Sequence, residues 1–439
     1  RPAPAPLPPG SRCPHVPNPL FTGRREALLE LWAVLSPEAP AAAPLAIVAG
    51  LGGVGKTQLA VEFAHCYGRY YHSVHWLSLA EAAAVAAEAI ACGEALGLPL
   101  DGRPADEAVA VVRRAWAGAV PQLLIFDNCE DPALLRAWRP PPGGARVLVT
   151  SRHSGWPPEA GAAVRPLLPL PRAESLALLR RYLVATPRRE SDAGLGRVAA
   201  AVGDLPLALA LAGHYLARYR SQSVKAYLAA LAATDDLVPV GRDALSPTDH
   251  ELSLRRTFTV SYDRLRPAAG DDGDEAAIKG AAVALLARAA CLPPGDPTPA
   301  ALLLATLDAD PPTLADEARE RLLALGMLEP GEAGESFRLH RLLARFVEMS
   351  ARQDAKEDEG AKEEKGGLAA ARAAVERAVE QALSKANERG DPSSLRGAEV
   401  HLRHVVDRAA ERDDEGAARL CGNLVYYLNM SGDSRGALS

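Results

Sequence analysis

Residues 50–57 read Gly50-Leu51-Gly52-Gly53-Val54-Gly55-Lys56-Thr57, the G-x-x-x-x-G-K-[ST] spacing of a loop that cradles phosphate. An apolar run, residues 45–49, leads in, and a helix-like run, residues 58–64, leads out. Strand, glycine-rich turn and helix start in that order separate a phosphate loop from a chance glycine-rich turn. Amides of Gly52, Gly53, Val54 and Gly55 can point inward, and the helix start adds its favourable dipole end. Lys56 is expected to reach the β- and γ-phosphates and the Thr57 hydroxyl to ligate Mg²⁺, with Gln58 in the first turn beyond. The expected ligand is a nucleoside triphosphate.

At 439 residues the chain is long enough for two to four domains. A net charge of −6 gives no general attraction to nucleic acid or anionic lipid. No apolar run reaches the ~18 residues of a spanning helix; the longest, residues 205–212, is broken by Pro206. Membrane association is therefore not expected. Six cysteines form no C-x-x-C pair, which argues against zinc or a disulfide framework and fits a cytoplasmic setting. Residue 1 is Arg, so the chain is expected to be a piece of something longer.

Residues 1–19 are Pro-rich and should be extended. Residues 21–34 have a helical pattern with Leu28, Leu31, Trp32 and Leu35 on one face. Between 44 and 170, candidate strands at 45–49, 74–79, 123–126, 146–150 and 163–167 alternate with candidate helices at 56–67, 80–96 and 105–117. Such alternation predicts an α/β domain built on a parallel sheet, with ligands at the carboxyl ends of the strands. The domain organisation read this way is an entry segment (1–19), a nucleotide-binding domain (20–170) and a helical subdomain (171–240). A winged helix (250–350) follows, with a short strand at 337–340 after a turn. A charged flexible loop (354–367) and a helical region (368–439) complete the chain. The last stretch has the spacing of the first helix and turn of a tetratricopeptide repeat, with Gly432, Asp433 and Ala437 in the turn and beyond.

Leu123-Leu124-Ile125-Phe126-Asp127 is an apolar strand ending in a carboxylate, about 70 residues after the loop. It suits the second group that holds Mg²⁺, although an acid ending a strand is common by itself. Arg146 to Arg152 forms another strand that brings Thr150 and Arg152 beside the triphosphate, where an arginine can stabilise γ-phosphate charge. Gly203-Asp204-Leu205-Pro206-Leu207 is by spacing only a helix start. His340 is by itself more readily a structural residue than a ligand.

Taken in order, these elements resemble the NB-ARC branch of the STAND nucleotide-switch ATPases, including bacterial members followed by tetratricopeptide repeats. Residues 50–57 resemble its Walker A motif, 123–127 its Walker B, 146–152 its sensor strand and 203–209 its G-L-P-L-A-L signature. Leu339-His340-Arg341 stands in the place of M-H-D, and residues 17–24 resemble the F-x-G-R entry segment. The resemblance implies a P-loop NTPase domain, a helical ARC subdomain and a winged helix closed around ADP. It places Val16, Phe21 and Arg24 along the base, Pro206 and Leu207 on the adenine, and His340 on the β-phosphate. Lys56, Asp127 and Arg152 become the catalytic set, with Thr57 and Asp127 on Mg²⁺. Exchange of ADP for ATP would open the closed monomer, permit self-oligomerisation and activate an effector, with slow hydrolysis and protein partners recruited by the C-terminal repeats. Two departures stand out. Asn128 replaces a second aspartate and cannot act as a general base, leaving Glu130 or Asp131 as substitutes. Arg341 replaces the M-H-D aspartate.

A different class of function, an AAA-type ATPase with a DNA-binding winged helix, would need a basic helix in 251–350. The sequence offers only Arg255-Arg256 and Arg338, Arg341 and Arg345, so nucleic acid is not an expected partner. A metabolic kinase would leave His340 and the 203–209 element without a role.

Overall fold

The structure is a computed structural model, and it describes residues 2–39, 44–184, 186, 190–234, 249–307, 313–331, 334–357, 367–412 and 414–431. The chain divides into two compact units, residues 1–181 with 204–207, and residues 182–203 with 208–439.

The first unit runs α1 (Arg25–Leu35), β1 (Leu45–Ala49), α2 (Lys56–Tyr67), β2 (Ser73–Ser78), α3 (Val85–Ala95), α4 (Ala105–Trp116), β3 (Gln122–Asp127), α5 (Pro132–Trp138), β4 (Ala145–Ser151) and β5 (Ala163–Pro166), then enters α6 (Arg172–Leu183). The five strands form one parallel sheet in the order β2-β3-β4-β1-β5. Both faces of β1 and β3 are covered, which explains why these strands read as near-continuous apolar runs. Along β1, Ala46 and Val48 enter one core with Leu28 and Phe63, while Leu45 and Ile47 enter the other with Val112 and Trp116. β3 does the same, with Leu123 and Ile125 on one face and Leu124 and Phe126 on the other.

Three local features depart from the pattern expected of the sequence. Helix α1 starts at Arg25, because Gly23 (φ 72°) and Arg24 (φ 62°) adopt left-handed backbone that no helix admits. At this φ a side chain would be strained, and a β-carbon at Gly23 would also displace the Glu174 carboxylate, so the position favours glycine. Helix α3 starts at Val85 after a single 3-10 turn, and the seven-residue α5 was too short to show a helical period. The Pro-rich segment is extended, and it also joins the sheet edge. The Arg12 amide donates to the Val74 carbonyl (2.8 Å) and the Trp76 amide donates to the Arg12 carbonyl (2.8 Å). The Arg12 guanidinium meets Glu88 at 2.5 Å, so the segment covers an edge strand that would otherwise present unpaired backbone.

The second unit contains α7 (Asp192–Ala201), most of α8 (Pro206–Arg218), α9 (Val224–Ala233) and α10 (Asp249–Tyr262). It continues through α11 (Gly273–Ala289), β6 (Thr298–Pro299), α12 (Ala300–Ala305), α13 (Thr313–Ala324), β7 (Glu329–Pro330) and β8 (Ser336–Arg338). The antiparallel order β6-β8-β7 and the helix–strand–helix–helix–hairpin sequence are those of a winged helix. On α13, Arg319 pairs with Asp316 (2.8 Å) and Glu320 (3.0 Å), and Arg321 forms a bidentate bond with Glu275 of α11.

Helix α14 (Arg341–Glu357) is followed by α15 (Leu368–Arg389), α16 (Glu399–Ala410) and α17 (Glu415–Ser431), which pack together as a group. The start of the expected charged loop, residues 354–357, is thus helical, while 358–366 lie outside the described residues. The same holds for Gly432, Asp433 and Ala437 of the expected repeat turn. No helix among the described residues is long and apolar enough to cross a membrane.

Phe63 is fully buried and stacks on Tyr67 with ring centroids 4.9 Å apart. Phe63→Ala is expected to destabilise the first unit by about 3–5 kcal/mol through lost burial and a residual cavity, measured by denaturant unfolding followed by circular dichroism.

Candidate functional site at the carboxyl edge of the sheet

The loop after β1 has left-handed glycines at Gly53 (φ 77°) and Gly55 (φ 95°), the second serving as N-cap of α2. Gly50 is required for a different reason, since a β-carbon there would stand 2.6 Å from the Leu167 carbonyl. The first described backbone bond of α2 runs from the Leu59 amide to the Gly55 carbonyl (2.9 Å). As at any helix start, earlier N–H groups are left for another acceptor.

Lys56 Nζ donates to the carbonyls of Gly50 (2.8 Å) and Leu51 (2.9 Å), folding back over the loop. Burial lowers its pKa to about 8, the nearby Arg152 charge acts in the same direction, and Glu130 and Asp127 oppose them. An anionic group at the loop would reverse that balance.

Asp127, at the end of β3, is buried, and its Oδ1 accepts from Thr57 Oγ1 (3.0 Å) and Thr150 Oγ1 (2.5 Å). The Asn128 amide donates to Thr150 Oγ1 (2.9 Å), completing a chain of bonds across the ends of β3 and β4. Asn128 sits at φ 59°, a conformation that Asn tolerates better than most residues. Of the two substitute acids, Asp131 caps α5 by accepting from the Ala133 amide (2.7 Å). Glu130 accepts from Ser151 Oγ (2.9 Å) and from the Arg152 amide (2.9 and 3.0 Å), tying the end of β3 to the end of β4. Glu130, expected as a substitute base, is instead engaged with Ser151 and the Arg152 backbone; Ser151 was not singled out from the sequence, because nothing in its spacing separates it from ordinary strand-end polar groups.

The entry segment reaches the same loop. Arg24 Nη2 donates to the Val54 carbonyl (3.0 Å), and burial lowers the Arg24 pKa below its ordinary value against the opposing Glu174 charge. The Arg181 guanidinium bonds to the carbonyls of Phe21 (2.9 Å) and Pro19, holding that segment in place. Phe21 packs against the α1–α2 core and Val16 is exposed. The turn at 204–207 belongs with the first unit. The Leu207 amide donates to the Gly53 carbonyl (3.3 Å), and the Pro206 ring would lie 3.7 Å from a β-carbon at Gly55. Gln58 Oε1 is a buried acceptor with no partner among the described residues.

Val54, Lys56, Thr57, Asp127, Thr150, Arg152, Arg24, Pro206 and Leu207 are thereby gathered around one loop. His340 belongs to the second unit, where its Nδ1 accepts from the Leu342 amide (3.2 Å) at the start of α14. Arg341 donates from Nε to the Pro294 carbonyl (2.8 Å) in the same unit.

The donor set suits a phosphorylated ligand with a hard cation. One carboxylate and one hydroxyl, Asp127 and Thr57, are what Mg²⁺ takes from a protein when phosphate and water complete its shell. No cluster of three or more His, Cys, Asp or Glu ligands exists among the described residues, so an all-protein metal cage is not what this edge offers.

No family model matches the chain. It is similar to the regulatory protein AfsR of Streptomyces griseus, 33% identical over 345 residues, covering 76% of this chain and 33% of that protein. It is also similar to AfsR of Streptomyces coelicolor, 33% identical over 262 residues, covering 56% and 25% respectively. The chain therefore spans about a third or less of these relatives. Among solved structures, it resembles a STAND protein with a tetratricopeptide repeat sensor from Pyrococcus horikoshii. The TM-score is 0.47 at 14% identity, covering 95% of this chain and 55% of that one. A Walker-type ATPase of Pyrococcus abyssi gives a TM-score of 0.36 at 13% identity, covering 77% and 99%.

A lysine pKa near 8 in the folded chain, against an ordinary 10.5, means the unfolded chain binds more protons between those values. Stability from this group therefore rises as pH climbs through that window. In nucleotide-free protein, the stability of the wild type relative to Lys56→Met is expected to increase from pH 8 to about 10.5, read from paired denaturant melts. A flat difference would place the Lys56 ammonium in ordinary solvent.

Proposed function

We propose that this chain is the nucleotide-binding core of a regulatory P-loop ATPase, and that it works as an ADP/ATP switch of the STAND kind. The observation that carries the reading is the convergence on one loop of Lys56, the Thr57–Asp127–Thr150 cluster and the Pro206 turn. In this reading Lys56 binds the β- and γ-phosphates, Thr57 and Asp127 hold Mg²⁺, and Arg152 responds to the γ-phosphate. When bound, Mg²⁺ neutralises phosphate charge. Pro206 and Leu207 close over the base, and His340 distinguishes the ADP form. Glu130 holds the Arg152 backbone in place and Asn128 offers no base, so hydrolysis is slow.

A switch requires differential affinity of its two states for the two nucleotides. Oligomerisation in the ATP form, protein partners on the C-terminal helices and an NB-ARC assignment follow from the same reading. Similarity to proteins named as regulatory supports a signalling role over a metabolic one. Against a DNA-reading winged helix, both arginines of α13 are paired with carboxylates, so that helix offers a groove little free positive charge.

The nucleotide released on denaturing purified protein is expected to be adenosine diphosphate, identified by ion-exchange chromatography, and Lys56→Ala should carry none. Retention of bound nucleotide by that variant would refute the use assigned to the loop. His340→Leu is expected to shorten the residence of fluorescent ADP by tenfold or more; unchanged release would remove His340 from the switch.

A further inference from the structure

Among the described residues, three non-glycine residues adopt positive φ: Arg24 (62°), Asn128 (59°) and Asp204 (54°). All three belong to the phosphate-loop site. Arg24 bonds to Val54, Asn128 follows Asp127, and Asp204 opens the Pro206 turn. Left-handed backbone persists at such residues only where surrounding contacts hold it, and it gathers at functional sites. Arg24 contacts the loop directly, and Asn128 is held by Thr150 at the end of β4, beside Asp127. The contacts that hold Asp204 do not touch the loop.

Asp204 is clamped from two directions. Its carbonyl accepts from the Leu170 amide (3.0 Å). Its carboxylate takes a bidentate bond from Arg172, with Nε to Oδ1 at 2.8 Å and Nη2 to Oδ2 at 2.7 Å. Two parallel charge-assisted bonds fix direction as well as distance. Residues 170–172 follow the last strand of the nucleotide-binding sheet, so the clamp joins the turn to that sheet at one end. At its other end the turn meets the loop through the Leu207–Gly53 backbone bond (3.3 Å) and the Pro206 ring. The contact at the loop is weak, and the clamp supplies the firm attachment.

We infer that the Arg172–Asp204 ion pair is a positioning latch for nucleotide retention, holding the Pro206 turn over the phosphate loop so that its breaking speeds release of the bound adenine nucleotide. The latch rests on the nucleotide-switch reading above. Neither residue touches the ligand; both act through Pro206 and Leu207. Because the Arg172 side chain is 45% exposed and that of Asp204 19%, the pair is open to screening by salt. Nucleotide residence time therefore shortens as ionic strength rises.

The test uses the full chain loaded with fluorescent ADP and chased with excess unlabelled ADP, in wild type, Asp204→Asn, Arg172→Ala and the double variant. Asn keeps the left-handed backbone available at position 204 while removing the charge. Each single variant is expected to release nucleotide about three- to tenfold faster at low salt. The double variant should be no faster than the singles, and the gap to wild type should close at high salt. Thermal melts run alongside separate a latch from a merely structural pair. Lower melting with unchanged release overturns the inference, as do additive effects in the double variant. Wild type that binds no adenine nucleotide would overturn the switch reading itself, whereas wild type that binds it with release indifferent to all three variants overturns the latch alone.

Discussion

One buried carboxylate organises the working edge of the sheet. Asp127 Oδ1 accepts from Thr57, which follows the loop after β1, and from Thr150, at the end of β4, while Asp127 itself ends β3. Three neighbouring strands, β3, β4 and β1, are thus tied together at their carboxyl ends by side chains and not only by the backbone ladder. A polar group held this deep is tolerated when its lone pairs are occupied. The hydroxyls that occupy them are the groups a cation would engage, so the cluster that stabilises the edge also presets it for ligand.

The surrounding contacts hold this edge in place. Arg24 reaches the loop at Val54, Glu130 binds Ser151 and the Arg152 backbone, and Arg172 fixes Asp204. Each contact brings a charged side chain to a backbone segment that would otherwise be a free loop. The backbone strain at Arg24, Asn128 and Asp204 marks where these attachments overrule local preference. Burial depresses the Lys56 pKa in the same small volume, which raises the site's demand for negative charge.

Much of this edge was legible in the sequence. The apolar runs before Gly50, before Asp127 and before Thr150 mark strands, and a strand followed by glycines, Lys and Thr has one well-known chemical use. Legibility failed where the determining contact was distant. Nothing local to Phe21–Arg24 says that contacts of Arg24 with Glu174 and Val54 accompany a left-handed backbone there, which delays the helix to Arg25. The resemblance raised the question of what Arg341 would pair with; the structure answers it with the Pro294 carbonyl.

The sequence by itself determined the five parallel-sheet strands and the main helices between them, the phosphate loop and the acid that faces it, because these depend on residue type and short spacing. Alternation of burial along β1 and β3, with both faces covered, follows from runs that are apolar at every position. Only the tertiary structure decided which polar groups share a bond: Thr57 with Asp127, Glu130 with Ser151, Arg172 with Asp204, and Arg12 with Glu88 at the sheet edge. These partners are separated by 70, 21, 32 and 76 residues. Their meeting depends on the crossing of β-strands and helices, which local pattern does not encode.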